Sequence, residues 1–304
     1  MTALVFLDPS HPAGRGADAA SPQLSVLDQG VTRGDGVFES ALYTGGVVRK
    51  LEAHLARMTV SAASCDLAIP SAEAWRAAIA TAVAAYDAAR PSGGPGAAAG
   101  STGDTHEAVV KLVATRGLES AGHGTSWVAV SPASELGRRQ RTAGVAVVLL
   151  DRGYDSTVAE RAPWLLMGAK TLSYAVNMAA LRHARRNGAD DVIFVSSDGR
   201  VLEGPTSTVL LAVRDGGTKR LITPMLETGI LPGTTQGAIF AAAEAAGWEL
   251  GYGPLVPQHL MEADAVWLVS SVRLLAPVNS LDGIEIARDA RLHEELTAMV
   301  DAIR

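Results

Sequence analysis

The sequence predicts an α/β (α+β) fold in two domains, and three observations predict it. The chain has 304 residues, enough for two modest domains that each bury a core. Segments of strand period and helix period alternate along its first half. Past an irregular connection at 151–162, which begins Asp151-Arg152-Gly153-Tyr154-Asp155, the alternation resumes with a different rhythm. The expected division is an N-terminal α/β domain over 1–150, that connection, and a C-terminal domain over 163–304.

In the first half, 37–43 reads as a strand, Thr44-Gly45-Gly46 as a hairpin turn and 47–50 as its partner. A helix begins near Leu51, because Leu51, Leu55, Met58 and Ala62 share one face while Glu52, Arg57 and Ser61 fall elsewhere. A second helix covers 71–89, and strands follow at 108–115, 126–131 and 144–150. Residues 10–21 and 91–105 are rich in Gly, Ala and Pro and are expected to be insertions without a packed element.

In the second half, 171–187 reads as a helix stopped by Gly188. A strand at 191–195, the turn Ser196-Ser197-Asp198-Gly199 and a short strand at 201–202 come next. Strands at 208–213 and 221–223, a helix at 235–246 ahead of Gly247 and a strand at 265–269 complete the pattern.

Composition narrows the function. With 48% hydrophobic residues, 19% charged residues and a net charge of -6, the chain lacks the basic stripe that nucleic-acid binding needs. No apolar run reaches the length of a membrane span, and no basic region precedes an apolar run at the start, so a cytoplasmic protein is expected. Cys65 is the one cysteine, which excludes intrachain disulfides and thiolate metal clusters, and it is expected in the core. The histidines show no paired ligand spacing, so no metal site is expected; His54 is expected to support its helix.

Three features carry chemistry. Lys170 sits in Leu166-Met167-Gly168-Ala169-Lys170-Thr171-Leu172, where small and apolar neighbours imply partial burial. Burial lowers an amine's pKa and makes it a nucleophile toward carbonyls, although a lysine with a covered stem and a hydrated head has the same local sequence. The loop Leu231-Pro232-Gly233-Thr234-Thr235 leads into a helix, whose unpaired N–H groups and two hydroxyls suit an anion such as phosphate, or else form an ordinary cap. Glu203, in Leu202-Glu203-Gly204-Pro205, is either an exposed loop acid or a carboxylate able to keep a ring nitrogen protonated. Together they supply the contacts that pyridoxal 5′-phosphate requires: an aldehyde partner, a pyridinium partner and a phosphate cradle.

The chain resembles the class-IV aminotransferases, which include branched-chain and D-amino-acid aminotransferases and 4-amino-4-deoxychorismate lyases. The likeness rests, in order, on Arg33-Gly34-Asp35-Gly36-Val37-Phe38-Glu39, His54-Leu55-Ala56-Arg57-Met58, Lys170-Thr171-Leu172-Ser173-Tyr174, Leu202-Glu203-Gly204, Leu231-Pro232-Gly233-Thr234-Thr235 and Ser270-Ser271-Val272-Arg273. It implies a two-domain D-amino-acid aminotransferase-like fold, pyridoxal phosphate between the domains and a homodimer that completes the substrate side. Lys170 is then the Schiff-base lysine and proton carrier, and Glu203 the partner of the pyridine nitrogen. Arg57, Gly233, Thr234, Thr235 and Ser271 would bind the phosphate, and Tyr174 the ring hydroxyl.

The resemblance implies a small-molecule amine as substrate, with Phe38, Val272 and Arg273 as candidate pocket residues. Phe38 falls where several relatives carry tyrosine, so it would either wall the pocket without donating a hydrogen bond or belong to the strand core. The stretch Arg273-Leu274-Leu275-Ala276-Pro277-Val278 departs from the Glu-Ile-Thr-Pro-Val motif usual in transaminases of this family. Leu118-Glu119-Ser120-Ala121 lacks the arginine that D-amino-acid transaminases and the lyases place there, and Arg273 either supplies the missing charge or has a surface or structural role. The overall pattern looks most like 4-amino-4-deoxychorismate lyase, which forms 4-aminobenzoate and pyruvate. A D-amino-acid or branched-chain transaminase is the alternative, and a non-catalytic phosphate-ligand binding protein a remoter one.

Overall fold

A computed structural model describes residues 1–89 and 106–304; the insertion expected at 91–105 lies outside the described residues. These residues form two compact units. The first comprises Met1–Ala133, Ala169–Ser173 and Arg304–Arg304, and the second Ser134–Gly168 and Tyr174–Ile303. The division differs from the boundary expected at 151–162, because the strand at 145–151 and the helix ahead of it belong to the second unit. It also moves Lys170 out of the expected C-terminal domain and into the first unit.

The first unit contains β1 (Ala3–Asp8), β2 (His11–Ala17), α1 (Gln29–Thr32), β3 (Gly36–Thr44), β4 (Val47–Val48), α2 (Leu51–Ser64), α3 (Ala72–Ala88), β5 (Ala108–Thr115) and β6 (Thr125–Pro132). Its six strands pair antiparallel in the order β2-β1-β6-β5-β3-β4. Alternate residues of the strands, among them Val110, Leu112 and Val128, meet Leu55, Met58 and Ala62 of α2 and Trp75, Ile79 and Ala82 of α3 in one apolar core. Ser71 caps α3 by accepting from the Ala74 N–H at 3.2 Å. Gly45 and Gly46, with φ of 56° and 78°, make the tight turn between β3 and β4.

Residues 10–21 were expected to lack structure, and the structure corrects this over most of the segment. β2 pairs with β1 from Leu4↔Ala17 to Asp8↔His11. Ladder hydrogen bonds use the backbone, so a run of small residues still forms a solvated edge strand. Cys65 stands at the C-terminal end of α2, half-buried at the border of the core rather than within it.

The second unit contains α4 (Glu135–Ala143), β7 (Val145–Asp151), α5 (Val158–Arg161), α6 (Ala175–Arg186), β8 (Asp191–Val195), β9 (Thr208–Asp215), β10 (Thr218–Pro224), α7 (Thr234–Ala245), β11 (Glu249–Gly253), α8 (Pro257–Glu262), β12 (Ala265–Ser270), β13 (Leu274–Leu281), β14 (Ile284–Glu285) and α9 (Ala290–Ala302). Its mixed sheet runs β11-β10-β9-β12-β13-β7-β8, with β14 paired to β13. Val209 to Ala212 of β9 and Val266 to Val269 of β12 are buried on both faces. Such strands read as continuous apolar runs instead of alternating ones. Helix α6 starts at Ala175, not at 171, and ends where Gly188 takes a φ of 77° and the Ala189 N–H returns to the Ala184 carbonyl.

Among the described residues no helix is long and apolar enough to cross a membrane. Nor does any group of three or more His, Cys, Asp or Glu side chains assemble there to hold a metal ion.

Candidate active site

In the first unit, Lys170 is fixed through its own backbone. Its carbonyl accepts from the Phe38 N–H at 3.1 Å, and its N–H donates to the Ser61 hydroxyl at 3.0 Å. On either side, Val37 bridges Thr171, and the Leu172 N–H reaches the Gly36 carbonyl at 2.8 Å. Gly36 is needed here, since a Cβ would lie 2.5 Å from the Ala114 carbonyl oxygen. The Lys170 side chain is half-buried, with Nζ 4.5 Å from the centre of the Phe38 ring. An aromatic face on one side removes water from the amine, the setting a carbonyl-directed lysine requires.

Helix α2 carries a polar stripe beside its apolar face. His54, Arg57 and Ser61 follow one another at helical spacing, and all three turn inward. Glu39, next to Phe38 on β3, is fully buried and meets both the histidine and the arginine. Arg57 donates Nε to Oε1 at 2.7 Å and Nη2 to Oε2 at 2.9 Å, while His54 Nδ1 lies 2.6 Å from Oε2. Burial by itself would raise the Glu39 pKa; the hydrogen bonds from His54 and Arg57 outweigh it and bring the carboxyl down to about 2. Arg57, expected to face a phosphate, is thus oriented by a buried carboxylate. Neither Glu39 nor Ser61 was singled out from the sequence as a site residue; their positions one residue from Phe38 and four from Arg57 were the available signal.

In the second unit, three hydroxyls converge at the start of α7. Thr234 Oγ1 and Thr235 Oγ1 lie 3.0 and 3.2 Å from the Ser271 Oγ, which enters from the turn after β12. Gly233 is the N-cap residue, and a Cβ there would fall 2.6 Å from the Thr208 hydroxyl. First-turn N–H groups, the positive end of the helix dipole and three hydroxyls together suit an anion.

Glu203 is tied to that same loop. Its Oε2 accepts from the Leu231 N–H at 3.1 Å, and its carbonyl accepts from the Phe194 N–H at 2.9 Å. Gly204 follows because a side chain would collide with the Ser207 hydroxyl at 2.4 Å. Pro205 is held by the Tyr174 hydroxyl at 2.7 Å and the Asn177 amide at 2.8 Å. Behind Asn177, the Arg152 guanidinium donates to its Oδ1 at 3.3 Å and stacks 4.5 Å from the Phe194 ring centre. Tyr174 therefore braces the Glu203 turn, a contact that the sequence did not suggest. Arg152, Phe194 and Glu203 border a cavity of about 10 Å³, close to the room of a single water.

Arg273 is paired with a buried acid. Its Nη1 lies 2.6 Å from Oδ2 of the buried Asp191, and its Nε and Nη2 are buried as well. Arg141 of α4 holds the turn by donating to the Val272 carbonyl at 2.9 Å and to the Arg273 carbonyl at 2.9 Å. Val272 is half-buried within that turn, which makes these residues the frame that presents Ser271.

A model of the family described as Amino-transferase class IV matches residues 36–281. A bifunctional aminodeoxychorismate lyase / D-amino acid transaminase from Mycobacterium tuberculosis is 43% identical over 284 residues, covering 92% of this chain and 93% of that protein. A fold IV transaminase from Curtobacterium pusillum superposes with a TM-score of 0.89 at 44% identity, with both chains covered completely at 100%. A hypothetical aminotransferase from Mycobacterium tuberculosis is 40% identical, with 99% of this chain and 98% of that one covered. It is similar both in its PLP-bound form, with a TM-score of 0.89, and in its alpha-ketoglutarate and PMP bound form, at 0.88.

Proposed function

The chain belongs to the class-IV aminotransferase family, and from that premise we propose that it is a pyridoxal 5′-phosphate enzyme that cleaves 4-amino-4-deoxychorismate to 4-aminobenzoate and pyruvate. Membership makes it an enzyme and sets aside the non-catalytic phosphate-binding alternative. The observation that carries the cofactor reading is the loop shared by Glu203 and the hydroxyl cluster. One end of Leu231-Pro232-Gly233-Thr234-Thr235 donates to Glu203 and the other enters α7 beside Ser271. A carboxylate hydrogen-bonded to the loop that carries an anion cradle matches a ligand with a basic ring nitrogen and a phosphate. The relative from Mycobacterium tuberculosis that carries the lyase name supports the choice of reaction.

Bound pyridoxal phosphate supplies an electron sink that stabilises negative charge at a carbon losing its proton. Thr234, Thr235 and Ser271 would hold the phosphate, with the Arg57 guanidinium, a geometry suited to two phosphate oxygens. Glu203 would keep the ring nitrogen protonated, its Oε2 held in place by the Leu231 N–H. Lys170 would hold the cofactor covalently through Nζ and, once released by the substrate amine, use Nζ to take the proton from the substrate ring. Loss of enolpyruvate would then leave an aromatic ring, and the proton taken by Lys170 Nζ, returned to the enolpyruvate carbon, would give pyruvate. Phe38 and Ser61 keep Lys170 in place and keep water from one side of its amine.

A D-amino-acid transaminase is the second reading, favoured by the other activity in that relative's name and by the likeness to fold IV transaminases. There Lys170 Nζ would take the α-proton of an amino acid and redeliver it. Mass analysis of products from aminodeoxychorismate and from a panel of D- and L-amino acids separates the two. Aminobenzoate with pyruvate is the expected outcome; keto acids from amino acids without aminobenzoate would overturn the lyase reading. A cytoplasmic homodimer completes the proposal, with light scattering as the check on its mass.

A further inference from the structure

We infer that Lys111 anchors a carboxylate of the substrate beside Lys170, an inference that rests on the functional reading above. Lys111 lies on β5, opposite Ser40 of β3 and one diagonal step from Phe38, whose direct partner is Val113. Strand alternation turns Lys111, Phe38 and Ser40 to the face opposite the apolar core formed by Val110 and Leu112. The Lys111 Nζ is 5.2 Å from the centre of the Phe38 ring, and the Lys170 Nζ is 4.5 Å from the same centre. Two primary amines therefore share one ring, and their separation cannot exceed the sum of those distances.

The two lysines have different surroundings. Lys170 is half-buried and held by backbone bonds, whereas Lys111 is exposed. Many of the other cations of this unit are paired: Arg57 with Glu39, Arg116 with Asp35, Arg76 with Glu52 and Arg33 with Glu119. Among the described residues Lys111 meets no carboxylate within ion-pair distance. Phe38 offers no hydroxyl that could receive a substrate acid. An ammonium on a flexible stem, steadied by the aromatic face, is a point charge with three donors. It suits a carboxylate whose position relative to the reacting amine varies with the substrate. The class of ligand is accordingly a primary amine that also carries a carboxylate.

The test is an equilibrium titration of the pyridoxal phosphate-loaded protein, following the absorbance of the bound cofactor. D-alanine and 4-aminobenzoate are the acids, and ethylamine and aniline their counterparts without the carboxylate. Lys111→Met should weaken binding of whichever acid the wild type holds by about tenfold to a hundredfold and leave the plain amines unchanged. Lys111→Arg should restore most of the affinity, and Lys111→Gln replaces the Met variant if that one takes up no cofactor. Unchanged affinity for the acids in Lys111→Met, or an equal loss for acids and plain amines, overturns this inference alone. A wild-type protein that takes up no pyridoxal phosphate overturns the functional reading and this inference with it.

Discussion

Arg57 grips Glu39 through two hydrogen bonds, Nε to Oε1 at 2.7 Å and Nη2 to Oε2 at 2.9 Å, with the carboxylate wholly buried. The pair sets the plane of the guanidinium that the family resemblance assigns to the cofactor phosphate. Removing the acid would leave a cation without its buried partner. Glu39→Gln is expected to cost about 3–5 kcal/mol of stability, measured by urea unfolding, with a parallel loss of cofactor affinity.

The same carboxylate gives stability a pH dependence. Its folded pKa is held at about 2, below the ordinary glutamate value of 4.5, because the bonds from His54 and Arg57 outweigh the effect of burial. A depressed pKa stabilises the fold above the unfolded value, and the contribution is lost as pH falls from about 4.5 toward about 2. Unfolding free energy measured across that window should decline in the wild type and decline less steeply in Glu39→Gln. Equal slopes would contradict the assignment.

The hydroxyl cluster is expected to act on cofactor affinity. Thr235→Val and Ser271→Ala should each raise the dissociation constant of pyridoxal phosphate by roughly tenfold, in line with about 1–1.5 kcal/mol per lost hydrogen bond. Fluorescence titration of the apoprotein measures this directly. Unchanged affinity in both variants would place the phosphate elsewhere.

Glu203→Ala should behave in the opposite way. Turnover is expected to fall by about a hundredfold or more as electron withdrawal weakens, while cofactor affinity changes little. A shift in the absorbance of the bound cofactor would accompany the loss. Normal turnover in this variant would remove Glu203 from the ring nitrogen.

Arg273→Met is expected to lower the melting temperature, because Asp191 is then buried without its partner. Affinity for acid substrates should change less than stability does. That outcome separates a frame residue from the substrate charge expected of it.

Elements with strong local periodicity were legible in the sequence. The strand at 37–43, its glycine turn, the first two long helices and the buried run of β9 all follow from patterns a few residues long. Helix α4 was missed because none of its residues is buried, so it has no apolar stripe to read. The division into units was misplaced for a different reason: Lys170 and Thr171 pair with β3 across more than a hundred residues of sequence, and no local pattern encodes such a pairing. At the site, the lysine, the carboxylate and the hydroxyl loop were visible as residue types. Their supports were not, since Glu39, Ser61 and Arg141 act through side-chain contacts that sequence spacing does not reveal.

Reduction of the pyridoxal phosphate-loaded protein with borohydride, followed by peptide mass analysis, tests the central claim most directly. The expected result is a single covalent cofactor adduct on Lys170, absent in Lys170→Ala, which should lose turnover and retain much of its affinity for the phosphate group. A colourless protein without an adduct, or an adduct on Lys111 or another lysine in place of Lys170, would contradict it.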